Sequence, residues 1–381
     1  MNYLPKRVPR TIVAAVLALA GAGVVPAVAS AHSSHGRYVY VDDNTTGTNT
    51  VAAFTEGASG KLSPVAGSPF NAGGAGTGSG LASQGAIQIS SNGRYVIAVD
   101  AGSNQISVLR IKRDGALKLA DIVSSGGIQP VSVAEHDGLV YVANAGAGGS
   151  NYAGFTLNRG GHLRPLAGST VALPDSAQPG DVLFNSTGAN LVGTRVASSQ
   201  IDSFSVGTDG RLTVAPGSPY AAQAAGPFGS EFRPTDPSQL FVSNAHAGAG
   251  NGTVSAFNVS GDGTLSSIGS SPFADNQTAP CWVEITHDGQ YLFTVNTASG
   301  SISRYSIAQN GTLTLLGSTS VSSQSGVVPV DARLNPDGQT LYVDESGAAS
   351  IAEFEVDGGQ LTGLGSVSLP DGATPAGLAV K

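Results

Sequence analysis

The sequence predicts an all-β fold: a seven-bladed propeller of four-stranded antiparallel sheets, closed by pairing of the C-terminal strand with the N-terminal blade. Three observations predict it. The tripeptide Gly-x-Leu recurs seven times, at Gly60, Gly115, Gly161, Gly210, Gly263, Gly311 and Gly359, in steps of 46 to 55 residues. A large apolar side chain stands five or six residues before each: Phe54, Leu109, Phe155, Phe204, Phe257, Tyr305 and Phe354. Upstream again lies a β-rich run such as Tyr38-Val39-Tyr40-Val41 or Leu341-Tyr342-Val343. A period of this length marks a repeat array.

Each unit reads as four strands. The first starts after a proline or its equivalent (Gln84, Pro130, Pro179, Pro227, Pro280, Pro329) and ends at a turn such as Asn92-Gly93, Asp137-Gly138, Asp288-Gly289 or Asp337-Gly338. The second is the aromatic and β-branched run. The third carries the Phe or Tyr, and a second tight turn such as Asp114-Gly115 or Asn310-Gly311 leads into the fourth. Asn-Gly and Asp-Gly tolerate positive φ at both central positions, as two-residue hairpins require. Radial repetition of such sheets leaves only short, protected edges.

The ends support closure. The first unit begins at Arg37 with its second strand, and the tail from Thr374 to Val380 resembles the missing first strand. The predicted blades span residues 37–70 plus 374–381, 81–127, 129–173, 178–220, 226–273, 279–321 and 328–370, within a single domain of residues 32–381. The Gly-rich stretch 71–80 joins blades one and two and lacks the spacing of a phosphate loop.

Residues 1–31 read as an export signal. Lys6, Arg7 and Arg10 precede an apolar run over residues 11–25, and Ala29-Ser30-Ala31 offers small residues for cleavage. The run is shorter than the ~20 residues of a spanning helix, so a secreted, extracellular chain cut after Ala31 is expected, with no membrane span. Cleavage leaves 15 Lys+Arg against 26 Asp+Glu, a net charge of −11. That balance argues against a nucleic-acid partner, which needs concentrated positive charge. Cys281 is the only cysteine, so stability has to come from packing rather than disulfides. A monomer without cofactor is expected.

Several segments carry a family resemblance: Thr253-Val-Ser-Ala-Phe, Gly67-Ser-Pro-Phe, Gly217-Ser-Pro-Tyr, Ser271-Pro-Phe and Pro336-Asp-Gly-Gln-Thr-Leu-Tyr-Val. The chain resembles the lactonase-type seven-bladed propellers, which include 6-phosphogluconolactonase and carboxymuconate-cyclising enzymes. The resemblance implies the fold over nearly all of residues 32–381, and lactone chemistry as an activity. Family enzymes carry Pro-Arg-His at the start of an inner strand and Asn-Glu after a second strand. Here the matching positions read Pro227-Phe228-Gly229, Pro280-Cys281-Trp282 and Pro329-Val330-Asp331, while Asn244 is followed by Ala245 and Asn296 by Thr297.

Candidate site residues follow from where the repeats disagree. The position closing the second strand reads Asp43, Asp100, Asn144, Arg195, Asn244, Asn296 and Glu345. Asn and Asp suit a turn, where their short side chains bond nearby backbone. Arg195 and Glu345 depart from that pattern: a guanidinium can stabilise an oxyanion and a carboxylate can activate water, or both can be solvated loop charges. Asp181 and Asp331, each two residues after its proline, are further candidate bases or turn caps. Trp282, His246, Asn244 and Asn296 are candidate ligand-binding residues on the same face. Cys281 is expected to be buried and inert, and His136 and His287 to be exposed on the opposite face. No metal is expected, because no contiguous calcium-loop spacing occurs.

Two functions follow. One is a secreted lactone hydrolase, a carboxylic ester hydrolase working at the channel mouth on a lactone or sugar-like ligand. The other is a non-catalytic extracellular or cell-surface propeller that binds a protein, polysaccharide or small ligand. The fold hosts both kinds.

Overall fold

The computed structural model describes residues 36–322 and 327–381. The expected signal segment and cleavage site lie outside these residues. Among the described residues there are seven antiparallel sheets and no helix. Their innermost strands are Gly377–Val380, Ile87–Ile89, Pro130–His136, Pro179–Phe184, Pro227–Arg233, Pro280–Ile285 and Pro329–Leu334. Each packs against the next around a central channel, and the last returns to the first. The seven-bladed ring is therefore closed.

The closure is the one the chain ends predict. Strand Gly377–Val380 pairs antiparallel with Tyr38–Asp42, Val39 opposite Val380 and Val41 opposite Leu378. Lys381 exchanges two backbone hydrogen bonds with Tyr38, and the amides of Thr374 and Ala376 donate to the carbonyls of Asp43 and Asp42. Leu378 is fully buried among Val39, Val41, Phe54 and Tyr342 at the seam of blades seven and one.

The Gly-x-Leu repeat has a physical cause. Its glycine takes positive φ in the turn between strands three and four, and in three of the seven units its carbonyl receives a tyrosine hydroxyl from the preceding blade: Tyr40 on Gly115 at 3.1 Å, Tyr141 on Gly210 at 2.9 Å, and Tyr342 on Gly60 at 2.8 Å. The last of these crosses the closing seam.

The serine of Gly-Ser-Pro, and of its variants Gly168-Ser169-Thr170 and Ser270-Ser271-Pro272, also has a local role. In blades one, three, four and five the outer strand is split in two by a turn. The serine inside that turn accepts the ladder amide that would lose its partner: Ala53 on Ser68, Gly154 on Ser169, Ser203 on Ser218 and Ala256 on Ser271, at 2.7–3.0 Å. In the other three blades the outer strand runs unbroken, as Leu117–Ser124, Leu313–Ser320 and Gln360–Ser368.

Candidate functional site

The first strand of five blades opens with a register shift immediately after its proline. The extra residues lie at Val131, Gly180, Phe228-Gly229, Cys281 and Val330. Such β-bulges re-aim side chains and gather beside functional sites. Here they turn Phe228, Cys281 and Val330 into a cup at one end of the channel. Its wall is completed by Leu81, Trp282, Thr297, Val328, Pro375 and Ala376, around a cavity of about 250 Å³. These bulges follow the prolines that the resemblance matches to Pro-Arg-His, and the residues directly after them, Phe228, Cys281 and Val330, present apolar groups to the cup.

The floor of the cup is a segment that the repeat pattern assigns to blade two. Gln84 was expected to open the first strand of blade two, but that strand runs Ile87–Ile89. Residues 81–85 instead cross the channel. Ser83 Oγ donates to Val131 O of blade three at 2.7 Å, and Gln84 N to Gly180 O of blade four at 2.9 Å. The Gln84 side chain donates to Ser230 O of blade five at 2.8 Å and accepts from Val283 N of blade six at 2.9 Å. Trp282 Nε1 donates to Ser83 O at 2.8 Å. Only glycine fits at 229, because a Cβ there would lie 2.1 Å from the Gln84 amide oxygen.

Below this floor the channel is charged. Asp181 accepts from Ser132 Oγ, Ser230 N and Ser230 Oγ. Burial still raises its pKa to about 7. Asp331 is fully buried and accepts from Leu378 N at 3.1 Å and Ala332 N at 2.8 Å; burial raises it, with Arg333 and these amides holding it back. Arg333 lies 3.4 Å from both Asp331 and Glu284. Burial opposes its charge, but the surrounding carboxylates outweigh that and hold its pKa above the ordinary value. Glu231 and Glu284 are both pushed up, chiefly by burial, Glu231 also by repulsion from Glu284. The structure thus brings Asp181 and Asp331 into one cluster, together with Glu231, Glu284 and Arg333. Nothing in the spacing of those three distinguishes them from other strand residues.

Arg195 and Glu345 are placed differently. Arg195 forms a two-pronged ion pair with Asp202, Nε and Nη2 each 2.6 Å from a carboxylate oxygen. Burial opposes the charge, and the Asp202 contacts outweigh it. Glu345 accepts from Ser350 Oγ on the adjacent strand and lines a separate cavity with Glu353 and Phe354, to which Arg195 contributes nothing. All seven residues closing a second strand bond to the third strand or its start in their own blade. Asp43 accepts from Thr50, Asp100 from Ser107, and Asn144 donates to Asn151. Asn244 donates to Thr253 and Ser255, and Asn296 to Ser301 and Ser303. Arg195 and Glu345 are charged versions of the same strand-tying device.

Trp282 lines the cup, its ring edge-on to Phe228 with centroids 5.2 Å apart. His246 is exposed and covers Gly226 rather than the cup. Cys281 is buried and its thiol is pushed up to about 11 by burial, far from the thiolate a nucleophile needs. Thr297 lies against that thiol, near enough to offset part of the rise, yet its hydroxyl makes no hydrogen bond of good geometry. His287 is exposed, whereas His136 is half-buried against Phe184.

The fold has close structural counterparts. A protein from Bacteroides fragilis proposed to be a 6-phosphogluconolactonase superposes with a TM-score of 0.72 at 21% identity, covering 92% of this chain and 99% of its own. The periplasmic gluconolactonase PpgL of Pseudomonas aeruginosa gives 0.71 at 16% identity, covering 91% and 99%. At these identities the likeness establishes the fold alone. No curated protein matches the sequence. The family description "Lactonase, 7-bladed beta-propeller" matches residues 29–184 and 189–380. With the closed seven-bladed ring, that match shows that the chain belongs to the lactonase family of seven-bladed β-propellers.

Proposed function

We propose that this protein hydrolyses a lactone ring in the cup at the channel mouth. The observation that carries the reading is the position of Asp331 under the cup wall. Its neighbour Val330 lines the cavity, and so does Ala376, just before the adjacent inner strand. Between them the backbone of Gly377 passes beside the buried Asp331 Oδ2, so close that a Cβ there would lie 2.9 Å from the oxygen, which accepts from Leu378 N. A water held there can lose its proton to Asp331 as it adds to the lactone carbonyl. The ring C–O bond then breaks, the departing alkoxide takes up that proton, and the product is a hydroxy acid that releases one proton at neutral pH. Asp181, with a pKa of about 7, is the second carboxyl placed to exchange protons in the same channel. Family membership and the lactonase names of the structural counterparts support the reaction class. Export, expected from residues 1–31, is part of the same proposal and makes a non-cytoplasmic substrate the natural one.

A second reading, binding without turnover, is favoured by one observation: no charged side chain lines the cup. Proton release from a panel of lactones separates the two. Hydrolysis predicts release that Asp331→Asn abolishes while Asp181→Asn shifts its pH profile. Ligand binding by Asp331→Asn, read by the fluorescence of Trp282, controls for its folding. Absence of release from every lactone in the wild type, with binding intact, establishes the second reading instead.

A further inference from the structure

The lining of the cup specifies a class of ligand, an inference that deepens the lactone reading and rests on it for the word lactone. Most of the wall is apolar, led by Leu81, Phe228, Trp282, Val328 and Val330. The side-chain hydroxyls on it are few, and all but one are occupied. Ser83 Oγ donates to Val131 O at 2.7 Å, and Ser346 Oγ to Val328 O at 3.2 Å. The indole N–H of Trp282 is held by Ser83 O in the floor. Thr297 Oγ1 alone is buried without a hydrogen bond of good geometry, with only the Cys281 thiol against it.

A polyhydroxylated or phosphorylated sugar lactone fits this poorly. Each of its hydroxyls would lose water and find no partner, and a phosphate would enter an apolar wall without any Lys or Arg to meet it. A ring carrying one acceptor and a hydrocarbon substituent fits well. Its carbonyl meets the Thr297 hydroxyl when that side chain turns from the Cys281 thiol into the cup, and its chain covers Phe228 and Trp282. The cavity of about 250 Å³ equals roughly eight water volumes, room for a five- or six-membered ring with a short alkyl tail.

We propose that the mouth of this propeller is selective for uncharged, alkyl- or aryl-substituted lactones, with Phe228 and Trp282 as the apolar platform and Thr297 as the hydroxyl that orients the ligand carbonyl. Sugar lactones and their phosphates are excluded by the same wall.

The chain carries its own reporter, because Trp282 is its only tryptophan. Full-length protein is titrated with γ-nonalactone and, separately, with D-glucono-δ-lactone, following tryptophan emission. Proton release is recorded in parallel. The expected result is saturable change with γ-nonalactone and affinity at least about tenfold weaker for the gluconolactone. Thr297→Val, which keeps the shape of the side chain, is expected to weaken γ-nonalactone by roughly five- to tenfold with an unchanged melting temperature. Equal or tighter binding of the gluconolactone, or no binding of γ-nonalactone, overturns the proposal. An unaltered affinity in Thr297→Val removes Thr297 from it. Binding of γ-nonalactone without proton release overturns hydrolysis while leaving the ligand class in place. Hydrolysis of gluconolactone alone does the reverse.

Discussion

Trp282 of blade six donates its indole N–H to the carbonyl of Ser83 at 2.8 Å, across the channel from the blade that Ser83 leads into. The bond makes the floor of the cup a shared structure. Ser83 and Gln84 between them reach blades three, four, five and six. The ring is braced through its centre as well as around its rim.

Replacing Gln84 by Leu keeps the volume and removes both bonds. The Ser230 carbonyl and the Val283 amide would then be buried without partners, a loss of roughly 1–3 kcal/mol for each. Denaturant unfolding is expected to show a lowered midpoint, together with weaker ligand-induced change in Trp282 emission. An unchanged midpoint would show that the brace contributes nothing to stability.

Arg195 is expected to matter for stability rather than for turnover. Its side chain is 12% exposed and that of Asp202 is 3% exposed. Arg195→Ala leaves Asp202 with only the Tyr152 hydroxyl, a loss on the order of 3 kcal/mol. The double variant Arg195→Ala/Asp202→Ala is expected to regain part of it. Lactone turnover per folded molecule should stay within about threefold of wild type. A hundredfold fall in kcat in folded Arg195→Ala would instead make it a catalytic group.

Stability is expected to fall as pH rises from 5 to 8. Burial holds Asp181 and Asp43 up to about 7, and Asp100 and Asp275 up to about 6. Between the ordinary carboxylate value and these values the unfolded chain has lost protons that the folded chain keeps. The stabilising contribution is complete at acid pH and disappears as pH climbs through the folded values. Asp344 adds to it: it is fully buried, neither carboxylate oxygen has a partner, and burial followed by the charges of Asp331 and Asp43 raises its pKa well above normal. Scanning calorimetry should give a melting temperature a few degrees lower at pH 8 than at pH 5. Asp344→Thr should raise the pH 8 value and flatten the slope, since Thr194 and Ser243 at the matching positions donate to a carbonyl of the next blade. A melting temperature that rises from pH 5 to 8 contradicts this account of the channel.

Deleting residues 374–381 removes the strand that closes blade one and opens the cup wall at Pro375 and Ala376. The melting temperature is expected to drop by about 10 °C or more, or cooperative unfolding to vanish. An unaffected transition would mean the ring closes by other contacts.

The architecture was legible because its causes are local and periodic. A glycine with positive φ and a leucine two residues on recur in all seven units, and a tyrosine one blade back meets three of those glycines. The site was harder to read. The position closing each second strand drew notice at Arg195 and Glu345 because they break a pattern of Asn and Asp. Their bonds to Asp202 and Ser350 are the pattern itself, made with charged groups. Asp181 and Asp331 were singled out by their distance from a proline, and a bulge after that proline is why the distance matters. Nothing in the sequence marks Glu231, Glu284 and Arg333, since their significance lies in four blades converging on one axis. The strap at residues 81–85 is unmarked for a related reason: its partners lie 48 to 199 residues away.

The most direct test of the central claim is where the ligand sits. Crystals of the full chain soaked with γ-nonalactone should show density in the cup, the ring carbonyl against Thr297 Oγ1 and the alkyl chain over Phe228 and Trp282. Density instead in the cavity beside Glu345, or at the far end of the channel against Arg333, would contradict the assignment of the mouth as the site.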